Sequence, residues 1–144
     1  MIDKKFCTGC AACMNVCPKD AINMRVDKEG FEYPYINIEK CVKCGLCDNV
    51  CPVNKSCDCK NSDIIYAVYN LDEDVRYQSS SGGSFTAMAE YVLQQGGVVI
   101  GCAMTGDCYA AEHIIIDNIN DLYKLRGSKY IQSSINLIFN FFSS

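Results

Sequence analysis

Cys7-Thr8-Gly9-Cys10-Ala11-Ala12-Cys13-Met14-Asn15-Val16-Cys17-Pro18 and Cys41-Val42-Lys43-Cys44-Gly45-Leu46-Cys47-Asp48-Asn49-Val50-Cys51-Pro52 decide the fold of the first part of this chain. The two stretches share one spacing, C-x2-C-x2-C-x3-C-P, and stand 34 residues apart. Three cysteines at i, i+3 and i+6 wrap a tight backbone loop around one metal cluster, and the fourth, carried onward before a proline, reaches the other cluster. Eight cysteines and two prolines in register are the signature of two 4Fe-4S clusters. The ligand sets that follow are crossed: Cys7, Cys10, Cys13 and Cys51 for one cluster, Cys41, Cys44, Cys47 and Cys17 for the other. Zinc is the rival for any set of four cysteines, but structural zinc sites use paired knuckles rather than two runs of four.

Gly9 and Gly45 lie inside the loops, where a missing side chain lets the backbone approach a cluster. Pro18 and Pro52 set the chain's exit and remove N–H groups that would otherwise need partners. A region with so little core of its own should unfold when its iron is removed, because metal binding there is folding free energy.

Working outward, Asp20–Met24 should begin a strand, and Met24–Pro34 reads as a hairpin turning near Glu29-Gly30. Phe6, Ile22, Phe31, Tyr33, Tyr35 and Ile38 are the apolar groups at hand to keep water off the clusters. Cys57 and Cys59 extend neither run and read as free thiols of a linker.

Ten of the twelve cysteines fall in the first 60 of 144 residues. The chain shows no export signal before Cys7, so reduced, metal-binding cysteines and a cytoplasmic location are expected rather than disulfides. The formal charge of -4 leaves no basic excess for nucleic-acid phosphates, and no apolar run reaches the roughly 18 to 20 residues of a membrane span.

Beyond residue 60 the pattern changes. Ile64–Tyr69 has the β-branched and aromatic composition of a strand. Ser79-Ser80-Ser81-Gly82-Gly83 then leads into an amphipathic helix with Phe85, Met88, Ala89, Val92 and Leu93 on one face, stopped by Gly96-Gly97. Val98–Met104 and Ala111–Ile116 read as two further strands. A serine- and glycine-rich loop entering a helix suits a phosphate, through exposed N–H groups, hydroxyls and the helix dipole. A plain helix cap would look the same. His113 has no sequence partner and reads as structural, and Cys102 and Cys108 read as buried thiols. Asp121–Tyr130 suits an anion contact or a plain surface equally. The apolar end, Ile135–Phe142, lacks an evident element to pack on.

As a set, the double cysteine run, Ser79–Thr86, Gly96–Gly101, His113 and Leu125–Ser133 resemble the coenzyme F420 hydrogenase/dehydrogenase beta-subunit family, up to about Ser133. The resemblance implies an iron–sulfur flavoprotein in which clusters exchange electrons with FAD, and FAD exchanges hydride with a deazaflavin or similar acceptor. It further implies that Ser80, Ser81, Gly82 and Gly83 surround the flavin, with Arg126, Ser128 and Lys129 lining the same pocket. Family members continue well past this point, so the chain reads as a truncated copy with part of a flavin site.

The expectation is therefore an α+β chain. Residues 1–60 form a ferredoxin-like two-cluster domain, and residues 61–144 an incomplete α/β flavoprotein-type domain. Its function is electron transfer through two 4Fe-4S clusters, as part or remnant of a flavin-dependent oxidoreductase that works with a redox protein or oxidoreductase subunit. The alternatives are an FAD-binding hydride-transfer subunit completed by a partner chain, and a structural zinc module.

Overall fold

A computed structural model of the chain describes residues 3–55 and 64–142. It separates into two units, Met1–Lys60 with Ile135–Ser144, and Asn61–Ser134.

The first unit is built on the predicted hairpin. Strands β1 (Ile22–Val26) and β2 (Glu32–Ile36) pair antiparallel, from Ile22 opposite Ile36 to Val26 opposite Glu32. Asp27 closes the turn, its carboxylate accepting from the N–H groups of Glu29 (2.9 Å) and Phe31 (3.0 Å). Each cysteine run ends in a short helix, α1 (Ala12–Asn15) and α2 (Leu46–Val50), which carries the last residues before Cys17 and Cys51.

Both cysteine loops use the left-handed backbone region twice, at the same two places. Gly9 (φ 66°) matches Lys43 (φ 55°), and Ala11 (φ 54°) matches Gly45 (φ 77°). Each loop thus has one glycine where that conformation is free and one side-chain-bearing residue where it costs energy. The repeat lies in the backbone, while glycine alternates between its two positions.

Two expectations about apolar cover are corrected here. Of the six residues named, Ile22 is buried, but Phe6, Phe31, Tyr35 and Ile38 are exposed, Ile38 at 80%. A short two-stranded hairpin has one face turned to water, and Tyr35 lies on it, opposite in direction to Ile22 and Ile36, while Phe31 sits in the turn and Phe6 and Ile38 lie outside the strands. The apolar end does find a support. Ile138–Phe142 forms a 3-10 turn against α1, and Asn15 Nδ2 donates to Asn136 O at 2.8 Å.

The second unit has α3 (Glu73–Tyr77), capped by the Asp72 carboxylate, and α4 (Ser84–Gln94), ended by Gly96 with a bond from Gly97 N to Val92 O. Strands β3 (Val99–Met104) and β4 (Ala111–Ile116) pair antiparallel, and β5 (Ser133–Ser134) adds to β4 in parallel. A 3-10 segment, Ile119–Leu125, turns Leu122 and Leu125 into a core with Ala89, Leu93, Ala103 and Ile116.

Three expectations for this unit change. Ile64–Tyr69 forms no strand and stands exposed, because strand composition yields a strand only where another strand is available to pair. The buried face of α4 is Thr86, Ala89 and Leu93, while Met88 is 64% exposed and Phe85 and Val92 are also exposed. The helix is apolar around much of its circumference, so periodicity alone left its inward face open. Cys102 is half-buried, but Cys108 is exposed in the turn between β3 and β4.

Candidate functional site

The cysteines of the first unit line two cavities. One, of about 240 Å³, is bordered by Cys17, Cys41, Cys44 and Cys47. The other, of about 30 Å³, is bordered by Cys7, Cys10, Cys13 and Cys51, with Cys47 also at its edge. Each cavity therefore carries the three cysteines of one loop and the distant cysteine of the other. Antiparallel pairing in the hairpin and the two short helices produce this exchange, because each helix leads its fourth cysteine away from its own loop.

Ala21, Ile22 and Ile36 form part of the apolar wall of the larger cavity, and Met24, Pro34 and Val53 that of the smaller. Ile22 belongs to the covering set expected from the sequence, while its aromatic members do not border either cavity. Small or aliphatic side chains reach the loops, whereas Tyr33 and Tyr35 lie on the opposite face of the hairpin.

The ten described cysteines are free thiols. Burial pushes the half-buried Cys13 thiol up to about 11, and the neighbouring Cys10 and Cys7 act in the same direction. A metal reverses this preference, since its ligands bind as thiolates. Ala21 N donates to Cys17 Sγ at 3.4 Å, a bond of the kind that tunes cluster potentials. Among the described residues, no three Cys, His, Asp or Glu side chains converge as the ligands of a single ion do. Four cysteines around a cavity match the donor set of a four-iron cubane, whose ligands bind at separate corners. In the smaller cavity the thiols must turn outward to hold one. Cys57 and Cys59 lie outside the described residues.

In the second unit a cavity of about 200 Å³ is bordered by Ser79, Ser80, Ser81 and Gly83 on one side and by Arg126, Gly127 and Ser128 on the other. Ser128 N donates to Ser80 Oγ at 3.1 Å and ties the two segments together. The first turn of α4 opens into the cavity. Its cap residue, Gly83, has φ 79° and supplies no side-chain bond to the helix N–H groups. A Cβ at Gly83 would stand 3.2 Å from Asn70 Cβ and 3.3 Å from Ser79 Oγ, so the position combines a left-handed backbone with crowding.

Two buried polar atoms at this cavity lack a protein partner. They are Thr86 Oγ1, in a residue only 1% exposed, and Arg126 Nε. Arg126 Nη1 donates to Gln78 Oε1, which fixes the guanidinium in place. A hydroxyl, a guanidinium and a helix N-terminus around one space form an anion-binding arrangement.

Of the residues that the resemblance assigned to this pocket, Ser80, Ser81, Gly83, Arg126 and Ser128 line it. Gly82 does not. It packs behind, its carbonyl accepting from Asn70 N at 2.6 Å. Lys129 also turns away, its Nζ donating to Arg126 O at 2.6 Å. Ser79 and Thr86 are the site residues missed from the sequence. The serine run and the helix start were visible, but burial of Thr86 was not.

His113 has a neighbour that sequence reading missed. Ser133 Oγ lies 3.2 Å from His113 Nδ1, because β5 runs beside β4, and Cys102 faces His113 across the β3–β4 ladder.

Among the described residues no helix is long and apolar enough to cross a membrane. Comparison with curated proteins finds no match. Comparison with family models finds two. The 4Fe-4S dicluster domain matches residues 6–55, and the Coenzyme F420 hydrogenase/dehydrogenase, beta subunit N-term, matches residues 65–139. The second match runs past Ser133, where the resemblance was expected to fade, and takes in part of the apolar end. With more than half the chain matched by this model and the cysteine-rich unit before it, the chain belongs to the coenzyme F420 hydrogenase/dehydrogenase beta-subunit family, whose architecture is that of an iron–sulfur, flavin-linked oxidoreductase subunit.

Proposed function

We propose that this chain is an FAD-binding, hydride-transfer subunit fed by two 4Fe-4S clusters, and that it exchanges hydride with a deazaflavin or similar acceptor in company with a partner redox subunit. The single observation that carries the cluster part of the reading is the grouping of cysteines around the two cavities, three from one loop and the fourth from the other. The flavin part rests on the anion-binding cavity at the start of α4. Cys7, Cys10, Cys13 and Cys51 would hold one cluster, and Cys41, Cys44, Cys47 and Cys17 the second. The clusters supply one-electron steps, and a flavin converts between those and a two-electron hydride step.

For the flavin, Ser80, Ser81 and Ser128 offer hydroxyls, Arg126 a charge, and the first turn of α4 its N–H groups. These bind phosphate oxygens. The cavity of about 200 Å³ is smaller than the roughly 300 to 1,000 Å³ usual for a whole organic ligand, so it suits the phosphate end of the cofactor. Domain boundaries near residue 60 and a reducing, cytoplasmic setting belong to the same reading, the latter because unpaired cysteines at this density need a reducing compartment.

Anaerobic reconstitution followed by iron and acid-labile sulfide analysis tests the cluster part. About eight of each per chain supports it, and about four rejects the two-cluster claim. Saturable FAD binding to the reconstituted chain, alone or with its partner subunit, tests the flavin part. A chain that retains both clusters but shows no such binding is an electron carrier instead. Stoichiometric zinc with no absorption near 400 nm would favour a structural zinc module.

A further inference from the structure

The two cysteine runs are equivalent by sequence, each residue of the first recurring 34 positions later, yet their surroundings differ. In the first loop Gly9 and Ala11 are buried, and Cys10 and Ala12 are half-buried. Their counterparts Lys43, Cys44 and Leu46 are exposed, and Gly45 is half-buried. The 3-10 turn Ile138–Phe142 packs on α1, next to the first loop.

Bordering charge differs as well. Lys19, Lys43 and Asp48 border the larger cavity, whereas among the described residues Asp48 is the only charged one bordering the smaller. Ligand sulfurs of both sets receive backbone N–H groups, Cys17 from Ala21 and Cys13 from Met14.

We propose that the two sites have unequal reduction potentials, and that the site of Cys41, Cys44, Cys47 and Cys17 takes the first electron. This rests on the cluster assignment above. Reduction adds one electron at a site and takes it from about -2 to -3, with no bond made or broken. Solvent access and nearby cations favour the added charge, while burial disfavours it. N–H groups donating to ligand sulfurs also favour it, and both sites have them. Exposure and the bordering lysines act in the same direction, and Asp48 borders both cavities. The first electron therefore prefers the larger-cavity site at least tenfold, which is about 59 mV for a one-electron couple.

The test is a potentiometric titration of the full reconstituted chain, followed by paramagnetic resonance. It is repeated for the double variant Lys19→Gln/Lys43→Asn, two exposed positions. Two steps are expected, and the variant should shift the upper step down while leaving the lower step in place. Two equal sites that merely repel each other's electrons would give the opposite pattern. Loss of the lysines would hand the first electron to the other site, so the lower step would fall while the upper one held. That pattern, or a single step in the native chain, overturns the inference. Iron near eight with either of those results leaves the cluster reading standing, whereas iron near four removes both.

Discussion

Arg126→Gln should weaken binding of phosphate-bearing flavin without affecting the isoalloxazine ring. Arg126 is half-buried, its Nη1 is tied to Gln78, and its Nε has no protein partner. The substitution keeps a side chain of similar reach but removes the charge. A hydrogen bond to a charged group contributes about 1.5–3 kcal/mol, and partial exposure places this one near 2 kcal/mol. At about 1.4 kcal/mol per tenfold, dissociation constants should rise about 30-fold. Equilibrium titration of the reconstituted chain with FAD, FMN and riboflavin, with its partner subunit where binding requires one, reads the effect. FAD and FMN should weaken by that factor, and riboflavin, which lacks phosphate, should change less than threefold. Equal weakening of all three ligands, or of none, would refute a phosphate contact at Arg126.

Leu122→Ala empties the centre of the second unit, where Leu122 is 2% exposed against Leu93, Leu125 and Ile116. The cost should be about 3 kcal/mol, read as roughly 100-fold faster amide exchange along β3 and β4, and unchanged exchange would refute the assigned core. In the first unit, Lys4 Nζ lies 2.6 Å from Asp27 Oδ2 and holds that carboxyl below its ordinary 3.8, while Asp27 raises Lys4 above 10.5. The Asp27 contribution is present above pH 3.8 and lost as pH falls through the lowered value; the Lys4 contribution is present below pH 10.5 and lost as pH rises through the raised one. Asp27→Asn should leave the turn bonds in place and return the Lys4 titration, followed by NMR, toward 10.5. A Lys4 titration that stays raised would contradict this pairing. Two oxidised clusters on thiolates take the formal charge from -4 to about -8, so association with a redox partner should slow as salt rises, whereas rates independent of ionic strength would exclude this electrostatic docking.

The grouping of the cysteines around two cavities was legible in the sequence because its information is local. Spacing sets the loop, and proline sets the exit of the fourth ligand. The hairpin and the glycine stop after α4 were legible for the same reason, and the family was legible because its Ser-Gly and Arg-Gly-Ser segments are contiguous. What depended on distant partners was not. Ile64–Tyr69 has strand composition and no strand beside it, and α4 could turn either Met88 or Thr86 inward until β3 and the Ile119–Leu125 segment selected the second. Ala11 and Lys43 sit in the left-handed region without being glycine, which is visible only in the backbone. The contact of the apolar end with α1 and the approach of Ser133 to His113 join residues far apart in the chain.

The crossed ligand sets are tested most directly by replacing one fourth ligand at a time. Cys17→Ala leaves Cys7, Cys10, Cys13 and Cys51 untouched, and it removes one of the four cysteines bordering the larger cavity. Paramagnetic resonance of the reduced variant, together with its structure, should show an intact 4Fe-4S cluster on Cys7, Cys10, Cys13 and Cys51. The site of Cys41, Cys44 and Cys47 should be reduced to three irons or emptied. Cys51→Ala should give the mirror result. Damage by Cys17→Ala to the cluster held by Cys7, Cys10 and Cys13 would contradict the crossed assignment.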